Sequence, residues 1–327
     1  ADGSSLSYDR LLIASGSRPV SPPIEGLDQP GVHHCWTLED ARNIMRYAEH
    51  GSPVVLMGAG FIGCIIMEAL VARGVDLTVV EMGDRMVPRM MDQTAGNLIK
   101  QWCIDKGVQV HTSTRVLSVK PDSQSDTRLL LQCQPEAELH ADLIIVATGV
   151  KPDTGFLTHS GIEIGQGIIV DEHLRTSVPN IYAAGDVCEG FDWSTGSRAL
   201  NAIQPIAVET GRVAALNMTG TAAPYPGGMS MNVLDTVGLI CTSYGQWMGV
   251  EGGEESQLLD RPGYRYINLK FQDDRVIGAI TLGMTQHVGI LRGLIQSRIR
   301  LGKWKQILMH DPTRVMEAYV GCTQQHG

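Results

Sequence analysis

Apolar positions along the chain follow two rhythms. Leu11-Leu12-Ile13, Val54-Val55-Leu56-Met57, Leu77-Thr78-Val79-Val80 and residues 143–147 are short, nearly unbroken apolar runs. Strands apolar on both faces belong to a sheet covered on both sides, as in parallel sheets. Residues 53–81 therefore predict strand, glycine turn, helix and second strand, with Arg73-Gly74 closing the helix. Residues 94–106 read as another helix stopped by Gly107, residues 108–111 start a further strand, and residues 115–119 and 128–133 form a hairpin. This alternation predicts a doubly wound α/β domain from about 51 to 150. Ahead of it, residues 8–14 read as a strand, and Arg18-Pro19 through Pro30-Gly31 as a Pro-rich loop. Thr37-Leu38-Glu39-Asp40 then resembles a capping box before a helix with Ala41, Ile44, Met45 and Ala48 on one face.

Residues 167–171 and 180–186 read as two more short strands, and residues 199–218 as a helix. After Pro224-Tyr225-Pro226-Gly227-Gly228 the pattern turns antiparallel: residues 264–271, the turn Gln272-Asp273-Asp274, residues 276–282, then a helix around Leu291, Leu294, Ile295 and Ile299. Most of Trp247, Met248, Leu291, Leu294, Ile295, Trp304, Ile307 and Leu308 should be internal core, yet a hairpin with one or two helices offers little surface to cover all of them. Residues 225–327 are therefore expected to form an α+β domain that makes a homodimer, the alternative being that this tail docks on the part of the FAD domain outside this chain.

With 327 residues, 43% apolar and 19% charged, the chain has the composition of a globular protein of two or three domains. A charge of −9 with no standout Lys/Arg cluster argues against nucleic acid as a partner. No apolar run approaches the ~20 residues of a membrane span, and the start does not resemble a signal peptide. Seven scattered cysteines without CxxC or CxxxxC spacing read as reduced structural thiols of a cytoplasmic protein. No histidine pair has metal-ligand spacing, and no nucleophile-base motif occurs, so no metal and no catalytic side chain are assigned. The polar start without Met, running into a buried strand, reads as the C-terminal part of a longer polypeptide.

Chemistry enters at Gly58-Ala59-Gly60-Phe61-Ile62-Gly63, set between a strand and a helix. Gly58 permits a tight turn, Gly60 admits a pyrophosphate close to the backbone, and Gly63 lets helix and sheet pack closely. The phosphates would lie on the helix N-terminus, where N–H groups and the dipole favour anions. Glu81, ending the second strand 23 residues after Gly58, is placed to accept from an adenosine ribose and to repel a 2′-phosphate. NADH is thus expected over NADPH, with Arg85 the nearby side chain that could accept a 2′-phosphate. Asp186, after Gly185 at a strand end, is placed to accept from a ribityl hydroxyl.

In order, Ala14-Ser15-Gly16-Ser17-Arg18-Pro19, the glycine motif, Val146-Ala147-Thr148-Gly149-Val150-Lys151-Pro152 and Ile181-Tyr182-Ala183-Ala184-Gly185-Asp186-Val187 resemble the pyridine nucleotide-disulfide oxidoreductase superfamily over almost the whole chain. The tail and the missing CxxxxC are most similar to the rubredoxin/ferredoxin reductase, NADH oxidase and nitrite-reductase-like branch. The resemblance implies an α/β fold with two interleaved Rossmann-like dinucleotide-binding domains, the FAD domain incomplete, plus a C-terminal α+β domain. Residues 1–50 would be a remnant of the FAD domain and a connector, 51–150 the NAD(P)H domain, 151–224 the second FAD segment and 225–327 the interface domain. The βαβ that should cradle the FAD pyrophosphate is not in this chain.

By the same resemblance, Gly58, Gly60, Phe61, Ile62, Gly63, Glu81 and Gly149 would hold NADH. Ala14, Ser15, Gly16, Arg18, Gly185, Asp186, Gln204 and Pro205 would hold FAD, with Arg18 against its phosphates and the Gln204-Pro205 helix start near the flavin. Where family members carry a Glu two residues after the third glycine, this chain has Ile65, and its nearest carboxylate is Glu68. The activity implied is hydride transfer from NADH to flavin and onward to a ferredoxin- or rubredoxin-type protein, oxygen or a disulfide. The rival reading is an NAD(H)-binding redox-responsive or scaffold subunit without competent FAD. A third is a coenzyme A disulfide or persulfide reductase whose cysteine lies outside this chain.

Overall fold

The computed structural model describes residues 3–125, 128–135 and 137–324, so residues 1–2, 126–127, 136 and 325–327 lie outside it. The chain forms two compact units, one from residues 1–18 and 150–230, the other from 19–149 and 231–327.

At the centre of the larger unit is a five-stranded parallel sheet in the order Val32–His34, Leu143–Val146, Pro53–Met57, Asp76–Val80, Gln109–His111. Its side chains alternate between two buried layers. Val54, Leu56, Leu77, Val79, Leu143 and Ile145 face the helical core. Val55, Met57, Val80, Ile144 and Val146 face a core that includes Val116, Val119, Leu129 and Leu131. Burial on both faces accounts for the absence of polar alternation in these runs. The second layer rests on a three-stranded antiparallel sheet, Arg115–Pro121, Leu129–Gln134 and Ala137–Ala141, so the expected hairpin gains a third strand.

The helix Phe61–Arg73 is apolar around most of its girth because it is covered twice. It packs on the parallel sheet and also against the strand Met231–Thr236. That strand opens a five-stranded antiparallel sheet ordered Met231–Thr236, Leu239–Gly245, Arg275–Leu282, Arg265–Gln272, Glu254–Asp260. Three helices follow: Val288–Ser297, Lys303–His310 and Val315–Thr323. The expected hairpin is the pair Arg265–Gln272 and Arg275–Leu282, and the other three strands and last two helices are additional. They were missed because strands such as Glu254–Asp260 expose most of their residues and carry little periodic signal.

This larger tail buries most of the large apolar residues named for it, as expected of internal core. Trp247, Leu291, Leu294, Ile295 and Leu308 are buried within the unit, Trp304 and Ile307 are half-buried, and Met248 is exposed. The premise that the tail lacks surface to cover them is thereby corrected.

Polar ties, among them a hydrogen bond from the Tyr264 hydroxyl to Asp105, fasten the antiparallel sheet and its turns to the helix Gln93–Asp105. Asp92 caps that helix through Ala95 N (2.9 Å) and accepts from the Tyr266 hydroxyl (2.7 Å). Trp102 Nε1 donates to Val237 O (3.0 Å), and its ring meets Tyr264 edge-on.

In the smaller unit, Leu11–Ile13 pairs in parallel with Ile181–Ala183, beside the helix Gln204–Met218. The helix starts five residues later than the expected residue 199. Residues Cys188–Asp192 and Ser197–Ala199 form a hairpin instead, its turn organised by the Asp192 carboxylate on Ser194 N (2.8 Å) and Thr195 N (3.3 Å). Pro205 then marks the first helical turn.

Asp92→Ala removes both a helix cap and a charged acceptor, so urea denaturation should show a loss of about 2–3 kcal/mol. Asp92→Ser, which keeps the cap and loses the reach to Tyr266, should recover about half of it. Full recovery in Asp92→Ser would show that the tie to the sheet contributes nothing.

Candidate functional site

The strand ends of the parallel sheet converge on the glycine turn. Gly58 has φ 102°, and a Cβ there would approach Ala147 O to 2.5 Å. A Cβ on Gly63 would collide with the Gly58 carbonyl oxygen. Packing inside the protein thus demands both glycines. Gly60 is different: its φ is ordinary (−78°), and no atom lies within 4 Å of where its Cβ would be. The fold leaves this space open, in front of a helix N-terminus with no side-chain cap and no acid in its first turn. An anion fits there, and a cradle of this kind suits a pyrophosphate. Phe61 and Ile62 pack their side chains on the core, leaving their backbone as what they offer a ligand.

Glu81 is built into the turn. Its Oε2 accepts from Ala59 N (2.7 Å) and its Oε1 from Gly83 N (2.6 Å). Each carboxylate oxygen keeps a second lone pair, so the group can still accept from a ribose hydroxyl. Arg85 is committed elsewhere: its guanidinium donates to Met91 O (2.9 Å) and Pro88 O (3.3 Å) and pairs with Asp84 (2.8 Å). Gly149, φ 119° and open on its Cβ side, closes the loop after Leu143–Val146 through Val20 N→Gly149 O (2.9 Å). On the helix, Ile65 is exposed at the position without the family's Glu, and Glu68 is exposed one turn on.

The smaller unit gathers the other predicted residues. Gly185, φ 75°, turns the chain so that Asp186 follows the strand Ile181–Ala183. Thr210 Oγ1 accepts from Gly185 N (3.0 Å), and Ser17 Oγ donates to Asp186 Oδ2 (3.3 Å). Neither supporting residue was legible in the sequence, because a threonine inside a helix and a serine in a loop announce no partner. Gly16 is left-handed (φ 69°), its carbonyl accepts from Asp153 N (2.9 Å), and Ser15 Oγ donates to Asp153 O (2.9 Å). Arg18, largely exposed, pairs with Asp153 (2.7 Å). Gln204 and Pro205 open a helix that has no side-chain cap and no acid in its first turn. These groups fit the ribityl and ring end of a flavin. Among the described residues, the one Gly-rich turn feeding a helix N-terminus lies in the larger unit. Ala14 and Ser15 line an apolar groove of about 480 Å³ with Tyr8, Leu11 and Phe156.

All seven cysteines are free thiols. Burial pushes Cys103 and Cys241 up to about 12 and Cys188 up to about 11, and Cys64 higher still. Cys35, Cys133 and Cys322 are also raised by desolvation. Such thiols are poor nucleophiles near neutrality. Among the described residues, Asp171, Glu172 and His173 form a ligand-like grouping with no further feature pointing to an ion.

Comparison with known proteins identifies the family. The family model described as pyridine nucleotide-disulphide oxidoreductase matches residues 1–205. The chain is 34% identical over 319 residues to NADH-dependent phenylglyoxylate dehydrogenase subunit epsilon of Aromatoleum evansii, covering 96% of this chain and 75% of that one. It is 34% identical over 224 residues to an NADH oxidase of Methanocaldococcus jannaschii, covering 67% of this chain and 49% of that one. Among solved structures, a NAD-dependent persulfide reductase from A. fulgidus superposes with TM-score 0.82 at 32% identity, over 91% of this chain and 58% of that one. The chain thus spans about half the length of two of these three relatives.

Gly63→Ala should abolish nucleotide binding, because the new methyl displaces the Gly58 carbonyl; Gly60→Ala should fold normally and weaken binding by obstructing the ligand alone. Melting curves with NADH titrations separate the two, and a Gly63→Ala protein that binds like wild type would refute the assignment. The thiols give a pH expectation. The unfolded chain releases thiol protons near 9 and the folded chain keeps them to about 11 or 12, so the native state binds more protons and stability falls as pH rises above about 9. Cys241→Ala should make that fall shallower in melts across the range.

Proposed function

This chain belongs to the pyridine nucleotide-disulphide oxidoreductase family, and we propose that it is an FAD-dependent NADH oxidoreductase that passes electrons to a separate acceptor. When bound, FAD supplies two-electron acceptance of hydride from NADH and its onward delivery. This chain's residues bind and orient. The helix Phe61–Arg73 takes the dinucleotide pyrophosphate on its N-terminus, Glu81 receives the ribose, and Asp186, held by Ser17, receives the ribityl chain. No acid-base side chain is needed for hydride transfer itself.

One observation carries the choice of NADH: Glu81 faces the turn as a carboxylate while Arg85 spends its donors on loop carbonyls and Asp84. A 2′-phosphate would meet the negative charge of Glu81, and the Arg85 guanidinium is already engaged. The similarity to a subunit named NADH-dependent points the same way and favours a role as the NADH-handling subunit of a larger dehydrogenase. The raised thiols favour an acceptor that reacts elsewhere than at these cysteines, such as a ferredoxin- or rubredoxin-type protein. No helix among the described residues is long and apolar enough to cross a membrane, and a cytoplasmic location is part of the reading. So is a homodimer. With most of the tail's large side chains inside, it would have to use exposed ones such as Met248, Leu258 and Leu259.

Titration should show NADH binding tighter than NADPH by about 1–3 kcal/mol, the scale of one charge-assisted hydrogen bond. Glu81→Gln should shrink that gap. Equal affinities in the wild type would sink the assignment. Flavin measured after denaturation of the full-length polypeptide decides between the two classes of reading: a colourless full-length protein that still binds NADH supports the scaffold subunit.

A further inference from the structure

We propose that Val87 is a positioning residue for the dinucleotide: held in a left-handed backbone by Arg85, it locks the Ala59–Gly60 peptide so that the Gly60 N–H faces the phosphates. The inference rests on the reading that the glycine turn binds NADH, and it names how that site is held in shape before the ligand arrives.

It starts from an outlier. Among the described residues with positive φ, two are branched at Cβ, Val87 (φ 49°) and Val237 (φ 52°). A left-handed backbone is costly for such side chains. Val237 is accounted for by its turn, since it and Gly238 (φ 84°) form the two-residue connection between Met231–Thr236 and Leu239–Gly245, which requires this hand. Val87 joins no pair of strands. Buried to 1% exposure, it sends its N–H to Ala59 O at 2.9 Å, inside the glycine turn.

The surroundings over-determine that conformation, which is the condition for such an outlier to persist. The Val87 carbonyl accepts from Met90 N (3.0 Å) and Met91 N (3.1 Å). Arg85 reaches across the same loop to Pro88 O (3.3 Å) and Met91 O (2.9 Å), carbonyls on the far side of Val87. Beneath it, Gly96 has no room for a Cβ, which would approach Met86 O to 2.7 Å and the Arg85 side chain to 2.9 Å. Arg85 is thus a staple for the loop.

The consequence lies in the peptide that Val87 grips. In a trans peptide the C=O and N–H point in opposite directions. With Ala59 O drawn towards Val87, the Gly60 N–H is turned to the other side of the peptide plane. Among the described residues no acceptor meets the Gly60 N–H, and no neighbour lies within 4 Å of the Gly60 Cβ position. The preceding peptide is fixed as well, its Ala59 N–H held by Glu81 (2.7 Å). Two successive peptides are set by two anchors, one acidic and one strained, so no peptide flip accompanies binding.

The test uses the full chain and calorimetric titration with NADH, ADP-ribose and adenosine. Val87→Gly keeps the N–H and adopts the left-handed backbone freely, so its affinity for NADH should stay within about twofold of wild type. Val87→Pro has no N–H and cannot take a positive φ, and should bind NADH and ADP-ribose at least about tenfold more weakly with adenosine unchanged. Arg85→Gln, which leaves Val87 in place, should weaken both phosphate ligands about fivefold, again sparing adenosine. In wild type, the Val87 amide should exchange slowly with solvent without ligand, and the Gly60 amide resonance should shift on adding ADP-ribose. If Val87→Pro fails to fold, Arg85→Gln and the amide exchange still decide. The proposal is overturned by a folded Val87→Pro with wild-type affinity, by Arg85→Gln losing adenosine in equal measure, or by an unprotected Val87 amide. A wild type that binds neither NADH nor ADP-ribose overturns the nucleotide reading itself, and this inference with it.

Discussion

The contact between the Glu81 carboxylate and the Ala59 N–H organises the larger unit. It joins the ends of two neighbouring parallel strands, Pro53–Met57 and Asp76–Val80, at the edge where their backbone groups have run out of ladder partners. A parallel sheet sends every strand out on the same side, so the turns that follow must find polar partners among themselves. Glu81 supplies two acceptors for two of these turns, through Ala59 N and Gly83 N. The geometry that satisfies these turns also leaves a carboxylate beside the proposed phosphate cradle.

The tail has a structural role towards this site. The helix Phe61–Arg73 carries the cradle at its N-terminus and is gripped on one side by the parallel sheet and on the other by the antiparallel one. Asp92 and Trp102 tie the same antiparallel sheet to the next helix. A helix packed on both sides cannot tilt away from its strand, and the first-turn N–H groups keep their aim. Cys64, Cys103 and Cys241 belong to this shared core, which is why their thiols are held protonated and chemically quiet.

Much of the fold was legible because the covering of the sheet writes itself into the chain. Continuous apolar runs at 54–57, 77–80 and 143–146 mean strands buried on both faces, and the glycine spacing at Gly58, Gly60 and Gly63 between strand and helix is itself a readable pattern. The capping box at Thr37 and Asp40, the stop at Gly107 and the turn at Asp273 are equally local and were equally readable. The third strand of the small antiparallel sheet, the exposed strand Glu254–Asp260 and the hairpin ahead of Gln204 were not, since short or solvent-facing strands owe their existence to neighbours distant in sequence.

The site divides along the same line. Sequence alone determined which residues form the glycine turn and which acid ends the next strand, because those choices are dictated by backbone conformation within some twenty-five residues. Tertiary structure decided what each group is free to do. It turned Arg85 from a candidate phosphate receptor into a loop staple, put Thr210 behind Gly185 and Ser17 beside Asp186, and set a β-branched valine in a left-handed backbone against Ala59. Each depends on a hydrogen-bond partner brought near by packing, and no pattern of residue types along a chain encodes where a side chain's donors end up.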